Sequence, residues 1–305
     1  MRIFVAGATG VIGRRLVPLL VEAGHEVTAV GRTAEKRELL ARQGATAVGI
    51  DLFDANAVRA AVARHEAVIN LATSIPPSSR ALWPGAWREN DRVRRVVSSN
   101  LVDAAIAAGA RRFVQESFAP IYADRGDAWI DESTPVRPAR YNQSVLHAEA
   151  AAERFTRSGA VGIVLRFAFF YGPDSDFAVD MIRYVRKGWA PAFGEPSGFV
   201  SSVTHDDAAT AVVAALDVPA GVYNVVDDEP VRRREFYDSL AAALGVRPPR
   251  FPPAWLKRVA GSLGETLARS QRISNRKLRD ASGWRPATPS VREGWARVAG
   301  EIAGG

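Results

Sequence analysis

Few side chains in this sequence could handle a proton at neutral pH, because it has no cysteine and only four scattered histidines. A thiol nucleophile, a disulfide framework and a Cys-ligated metal are excluded, no two histidines have an HExxH-like spacing, and no metal site is assigned. The residue that stands out is Tyr141, in "ARYNQSVLHAEA", at the start of a helical pattern with Val145 one turn further on. An unperturbed phenol has a pKa near 10, so about one in a thousand is ionised at pH 7. Such a group is a poor base but a ready proton donor. Other polar residues are Thr73, Tyr122, Tyr171 and His147. His147 follows Tyr141 by six places, about 240° around a helix, and is expected to be exposed.

The elements that must position these residues are legible as alternation. Short apolar runs ("RIFVAG", "EVTAVG", "ATAVGI", "EAVINLAT", "RRFVQES", "VGIVLRFAF") alternate with helical patterns of ten or more residues. That order calls for βαβ units, hence an α/β fold with a doubly wound parallel sheet. Gly24, Gly44, Gly109 and Gly159 close helices where a left-handed residue is needed. The pattern loosens after residue 172, which suggests a Rossmann domain over 1–172, with 203–226 returning to it, and a smaller substrate-binding cap from 173–202 and 227–305. Tyr122 and Tyr171 follow strands and so stand either at the ligand edge of the sheet or in the core. Asp207 is expected to cap the helix "DAATAVVAAL". In "PAWLKRVAGSLGETLARS", Leu256, Val259, Ala260, Leu263 and Leu267 recur at helical intervals, as a packed capping helix would require, with membrane or partner binding as the other reading.

Composition narrows the partners. The chain has 305 residues, 47% hydrophobic, with a net charge of +7 spread among acidic residues and no basic tail. The densest basic cluster, Arg232 to Arg234, reads as a solvated helix start, so no nucleic-acid partner is expected. No run approaches a membrane span, and "RIFVAG" begins at once with no signal-like segment before it. A cytoplasmic protein without a membrane partner is expected, with a homodimer as the assembly to test.

"FVAGATGVIGRRL" places Gly7, Gly10 and Gly13 between the first strand and the first helix. Glycine lets the turn adopt positive φ and brings backbone N–H groups to a pyrophosphate, while the helix N-terminus favours the negative charge. Thr9, Val11 and Ile12 complete this cofactor-binding turn, and Leu71, Ala72 and Thr73 follow the fourth strand beside it. The second strand ends in Gly31 and Arg32 with no acidic residue for an adenosine ribose. An Arg there suits a 2′-phosphate, so NADP is expected over NAD; the other reading of Arg32 is a solvated loop residue. Asp51, followed by Leu52, either accepts from the adenine amine or caps the next helix.

These residues resemble the extended short-chain dehydrogenase/reductase superfamily, which includes NAD-dependent epimerases and dehydratases, in an atypical form. The GxxGxxG turn, "NLAT", "IDESTPVRP" before Tyr141, "LRFAFFYGP", "VTHDDAATAVVAAL", "GVYNVVDDEP" and "SNRKLRDASGWRP" carry the resemblance over nearly the whole chain. It implies a catalytic Tyr at Tyr141, a Lys four residues later that lowers its pKa and holds the nicotinamide ribose, and a Ser/Thr on the same substrate oxygen. At the Lys position stands Val145, and Phe118 occupies the Ser/Thr position with Ser117 one residue before it. Ser117 is retained as the catalytic partner of Tyr141. Glu149 matches the acidic residue eight places after the Tyr. The Asp-Glu pair of dehydratases is replaced by Ala119 and Pro120, and the Arg by which epimerases hold a nucleotide diphosphate is missing from "SGFVSSVTHDD".

Aromatic residues fall in segments expected around the substrate. Trp83, Trp87, Phe118, Tyr122, Phe169 and Phe170 are assigned to the pocket, with Trp189 and Phe193 in the cap. They favour a small hydrophobic molecule over a sugar nucleotide. The function expected is an NADPH-dependent reductase of a carbonyl, imine or enone with Tyr141 as proton donor. A non-redox cyclase or dehydratase on the same scaffold, and an NADP-binding redox sensor without catalysis, are the alternatives.

Overall fold

A computed structural model describes residues 1–83, 85–253, 255 and 260–304. Strands β1 (Arg2–Ala6), β2 (Glu26–Val30), β3 (Thr46–Val48), β4 (Ala67–Asn70), β5 (Arg112–Phe118), β6 (Val161–Phe167) and β7 (Gly221–Val225) form one sheet ordered β7-β6-β5-β4-β1-β2-β3, with every pairing parallel. Helices are α1 (Gly13–Glu22), α2 (Ala34–Arg42), α3 (Ala55–Val62), α4 (Arg88–Arg92), α5 (Ser98–Ala107), α6 (Val145–Arg157), α7 (Asp176–Arg186), α8 (His205–Ala215), α9 (Arg233–Ala243), α10 (Gly261–Ala268), α11 (Arg276–Ser282) and α12 (Val291–Gly304).

The strands are apolar in near-continuous runs because both faces of the sheet are covered. Ile3 and Val5 pack with Leu16 and Leu20 of α1 and with Ala208 and Val212 of α8. Phe4, Val68 and Phe113 pack on the other face with Val58 and Val62 of α3, Leu101 of α5 and Phe155 of α6. The fold is a doubly wound parallel α/β sheet of Rossmann type. The four glycines that close helices have φ of +79°, +86°, +68° and +94° at Gly24, Gly44, Gly109 and Gly159.

A third hydrophobic cluster draws on Tyr171, Met181, Ile182, Phe236, Leu240 and Trp295, from the turn after β6 and from α7, α9 and α12. Tyr171 is buried there, 4.9 Å from the Trp295 ring, so it is a packing residue and stands away from the ligand edge. Helix α8 rests on α1, and β7 completes the sheet edge.

Three local expectations are corrected. Asp54, not Asp51, caps α3 by accepting from Asn56 N and Ala57 N, while the Asp51 carboxylate accepts from Phe53 N at 2.9 Å within its own turn. Thr204, not Asp207, caps α8; Asp207 sits in its first turn and instead accepts from Thr204 Oγ1, Ala287 N and Thr288 N, pinning the C-terminal segment. Within the basic cluster Arg233 is buried, donating to the Leu267 and Arg269 carbonyls, because the chain needs a fixed donor there more than a solvated charge. Of the residues expected to pack at helical spacing, Leu256 and Val259 lie outside the described residues, and Leu263 and Leu267 are half-buried on α10.

Between α4 and α5 the five residues Val93–Val97 wind as a π-helix, so the run from Arg88 to Ala107 is continuous but changes pitch. Such turns recur where a helix must re-aim side chains at a site. Among the described residues, no helix is long and apolar enough to cross a membrane.

Candidate active site

The turn after β1 is shaped by two contacts that only glycine permits. At Gly7, φ is +78° and an added Cβ would lie 2.4 Å from the Leu71 carbonyl carbon; at Gly13 it would lie 2.3 Å from Gly7 O. Gly10 differs: an added Cβ meets nothing closer than Gly7 O at 3.3 Å, so this side of the turn is open. Thr9 and Val11 flank the open side, and buried Ile12 leads into α1. An open turn ahead of a helix N-terminus fits a pyrophosphate. The exit of β4 is locked beside it. Buried Asn70 donates to Ser98 Oγ at 3.2 Å and Gln115 Oε1 at 3.0 Å and accepts from Ala72 N at 3.1 Å, which fixes Leu71, Ala72 and exposed Thr73 along the cradle.

Arg32 is exposed where β2 ends, and Arg37 of α2 donates to Gly31 O at 3.3 Å. The exit of β2 thus carries two arginines and no carboxylate. Arg37 was not anticipated; its signal is its spacing, one turn into a helix that starts at the β2 exit. Asp51 is exposed and Leu52 half-buried at the neighbouring β3 exit. Beyond the cradle, Arg14 and Arg15 of α1 pair with Asp174, which also meets His205 Nδ1 at 3.2 Å. Burial pushes His205 down to about 4, so it is neutral at pH 7.

Tyr141 lies in a short 3-10 turn, Arg140–Asn142, just ahead of α6. Its ring meets Trp87 edge to face at 4.7 Å, and α10 packs over the same turn. Burial pushes the phenol up to about 12, against the opposing pull of the Thr266 hydroxyl, the Arg94 and Arg269 charges and Asn142. Val145 is completely buried. The arrangement holds the phenol neutral at every physiological pH.

Ser117 is not brought to this group. Its hydroxyl, fully buried, donates to Glu149 Oε1 of α6 at 2.5 Å. Glu149 also accepts from Arg166 Nε at 2.8 Å and Nη2 at 2.7 Å, Arg166 donates to Tyr122 Oη at 2.7 Å, and Tyr122 donates to Asn224 at 2.9 Å. This closed interior network stitches β5, β6, β7 and α6 together. The pairing of Ser117 with Arg166 across β5 and β6 puts both side chains under α6. Tyr122 belongs to the network, not to a pocket wall, and burial pushes it up to about 12 as well.

Of the aromatic residues expected around the substrate, Trp87 joins Tyr141, while Phe118 meets Phe169 edge to face at 6.1 Å. Phe169 in turn stacks on Phe177 at 6.3 Å, a residue not anticipated because α7 lies in the segment with the weakest pattern. All three phenylalanines are half-buried. Phe170 turns away, packing on Phe167 and the His205 ring, and Trp83 is 70% exposed. A separate groove of about 890 Å³, lined by Trp129, Glu132, Asp227, Asn275 and Lys277 among others, includes none of the cradle residues or Tyr141.

A parallel sheet with a glycine cradle at its edge and a neutral phenol beyond it defines a dinucleotide-dependent enzyme of the Rossmann type. Residues 7–219 match the family model described as NAD(P)H-binding, and the chain belongs to that family, as an NAD(P)-dependent oxidoreductase of the extended short-chain dehydrogenase/reductase group. It is 37% identical over 308 residues to a 3-diazoavenalumate denitrifying reductase from a Streptomyces species, covering 97% of this chain and 100% of that one. It is 28% identical to a 4-hydroxy-2-methyl-3-oxo-4-farnesyl-3,4-dihydroquinoline-1-oxide ketoreductase from Stigmatella aurantiaca, over 88% of this chain and 81% of the other. Among solved structures it resembles a Thermus thermophilus UDP-glucose 4-epimerase in complex with NAD, with a TM-score of 0.80, 26% identity and coverage of 100% and 99%. A human epimerase family protein with NADPH has a TM-score of 0.81 at 23% identity, over 98% and 99% of the two chains.

Proposed function

We propose that this chain is an NADPH-dependent reductase of a small aromatic or otherwise hydrophobic molecule, with Tyr141 as proton donor. The observation that carries this reading is the neutral phenol packed against Trp87, with buried Val145 where the family resemblance implies a lysine. Bound reduced nicotinamide supplies a hydride. The chain holds the proton: Tyr141 Oη gives it to the oxygen or nitrogen that the hydride leaves electron-rich, and the phenol recovers it from solvent. Oxidation would need the phenol as a base, and a pKa near 12 leaves about one phenolate in 10⁵ at pH 7. Arg32 and Arg37, with no carboxylate at the end of β2, support NADPH over NADH.

The 37% identical relative supports a second reading. If the acceptor carries a diazo group, the hydride ends in a new C–H bond, the C–N bond breaks and nitrogen leaves as N₂. On an ortho-diazophenol the product is an aryloxide of ordinary basicity that solvent protonates, so neither a phenol nor a lysine of the protein is needed. Tyr141→Phe separates the two. Purified enzyme is assayed for NADPH oxidation with 9,10-phenanthrenequinone and with an ortho-diazophenol, with NADPH fluorescence to verify binding. Under the first reading the quinone is reduced and Tyr141→Phe lowers kcat by about 10²-fold or more. Turnover of the diazo compound alone, unchanged in the variant, establishes the second. No turnover with either, despite tight NADPH binding, overturns both.

A further inference from the structure

With Val145 apolar, the position one helical turn after Tyr141 offers no cation, but the neighbouring run that packs on α6 carries one. The π segment that follows α4 packs against α6 and carries Arg94. Trp87, Asn90 and Arg94 recur along one side of this run, and Trp87 is in ring contact with Tyr141. Arg94 is 4% exposed, and its guanidinium is held by Glu116 of β5 at 3.3 Å. This ion pair is buried on both sides, an arrangement costly enough to need a reason.

The pair is also incompletely bonded. Among the described residues Arg94 Nε and Glu116 Oε2 have no partner, nor do Asn90 Nδ2, Ser144 Oγ or either polar atom of Asn142. Each buried unmet polar atom costs about 1–3 kcal/mol. They are concentrated on the elements that meet at Tyr141: the α4–π run, β5 and the turn into α6. A second cation, Arg269, stands at the end of α10, which packs on the Tyr141 turn, but it is committed to the Tyr122 and Arg137 carbonyls at 2.9 and 2.8 Å and to Glu265 at 3.3 Å. Of the two, Arg94 has a buried N–H without a partner among the described residues.

We propose that Arg94, held by Glu116, is the positioning residue that supports Tyr141 in place of a lysine on α6, stabilising the phenolate left when the proton is given up. The role rests on the reading of Tyr141 as proton donor. As the proton leaves Tyr141 Oη, negative charge develops next to a guanidinium already fixed in a water-poor wall, so little reorganisation is required. Burial pushes the Glu116 carboxyl up and the Arg94 guanidinium draws it back, so the two groups hold one another in place.

The test compares wild type, Arg94→Met, Arg94→Lys and Arg94→Met/Val145→Lys. With 9,10-phenanthrenequinone, Arg94→Met is expected to lower kcat by about 10- to 100-fold with KM within about threefold. Its solvent deuterium isotope effect rises, because proton transfer becomes limiting. Arg94→Lys, and the double variant that returns a lysine to position 145, are expected to recover most of kcat. A readout without turnover uses [¹³Cζ]tyrosine, with the Tyr141 resonance assigned from Tyr141→Phe. In wild type that resonance moves toward its phenolate position at lower pH than in Arg94→Met. Equal titration in the two proteins overturns the proposal, as does lost kcat that neither lysine restores, which is the mark of a structural ion pair. If wild type lacks turnover but the two proteins titrate differently, the support of Tyr141 by Arg94 stands and the reductase reading fails.

Discussion

Ser117→Ala isolates what a hydroxyl at the end of β5 does. Its oxygen donates to Glu149 at 2.5 Å, and Glu149 retains two bonds from Arg166 at 2.8 and 2.7 Å after the change. A hydrogen bond to a charged acceptor is worth about 1.5–3 kcal/mol, and because the carboxylate stays bonded the loss should fall at the low end, about 1.5 kcal/mol. With a urea slope of about 3 kcal/mol/M, the unfolding midpoint drops by about 0.5 M at constant slope. Steady-state turnover of the same preparation should stay within about twofold of wild type, since the hydroxyl faces α6 and not Tyr141. Glu149→Gln calibrates the scale: it strands the buried Arg166 charge and should cost about 3–5 kcal/mol. A Ser117→Ala protein with an unmoved midpoint and tenfold lower kcat would falsify the assignment and return Ser117 to the substrate.

The remaining predictions concern the cofactor cradle and its surroundings. Arg32→Ala should weaken NADPH binding by about tenfold or more in a fluorescence titration and leave NADH unchanged; equal loss of both would deny Arg32 a 2′-phosphate. Gly13→Ala forces a Cβ to 2.3 Å from Gly7 O, so it should abolish dinucleotide binding or folding, and binding within twofold of wild type by calorimetry would contradict the close packing of α1 on the turn. His205, pushed down to about 4, resists a proton that the unfolded chain accepts near 6.5. Its contribution is therefore complete above about pH 6.5 and is lost as pH falls toward 4, a difference of about 3 kcal/mol. His205→Gln should flatten that part of the stability–pH curve measured by urea denaturation; an identical slope would show that other groups set it.

The parallel sheet and its cradle were legible because their signals are local. Period, glycine spacing and the alternation of runs all act within some thirty residues, and Gly7 takes the positive φ that its place in the turn requires. What escaped was the pairing of buried polar groups distant in sequence. Ser117 finds Glu149 thirty-two positions on, and Arg94 finds Glu116 across twenty-two. No local pattern announces either. Arg94 did leave a trace, as a charge beside the apolar stripe of Val93, Val97 and Leu101, but in a helix of ordinary pitch it reads as exposed. The caps were missed for a related reason: where Asp51 and Asp54, or Thr204 and Asp207, compete for one helix start, backbone geometry decides and composition does not.

The π segment makes the helix from Arg88 to Ala107 a rod with two phases. Ahead of it, Trp87 meets the phenol ring and Asn90 accepts from Ser74 N; behind it, Leu101 and Val102 stay seated on the sheet. Removing one residue from Val93–Val97 would rotate the front half by about 100° relative to the back, carrying Trp87 away from Tyr141. Because Val93 and Val97 are themselves core residues, the pitch of this one turn ties the wall beside Tyr141 to the seating of α5, so its length cannot change without repacking the face of the sheet.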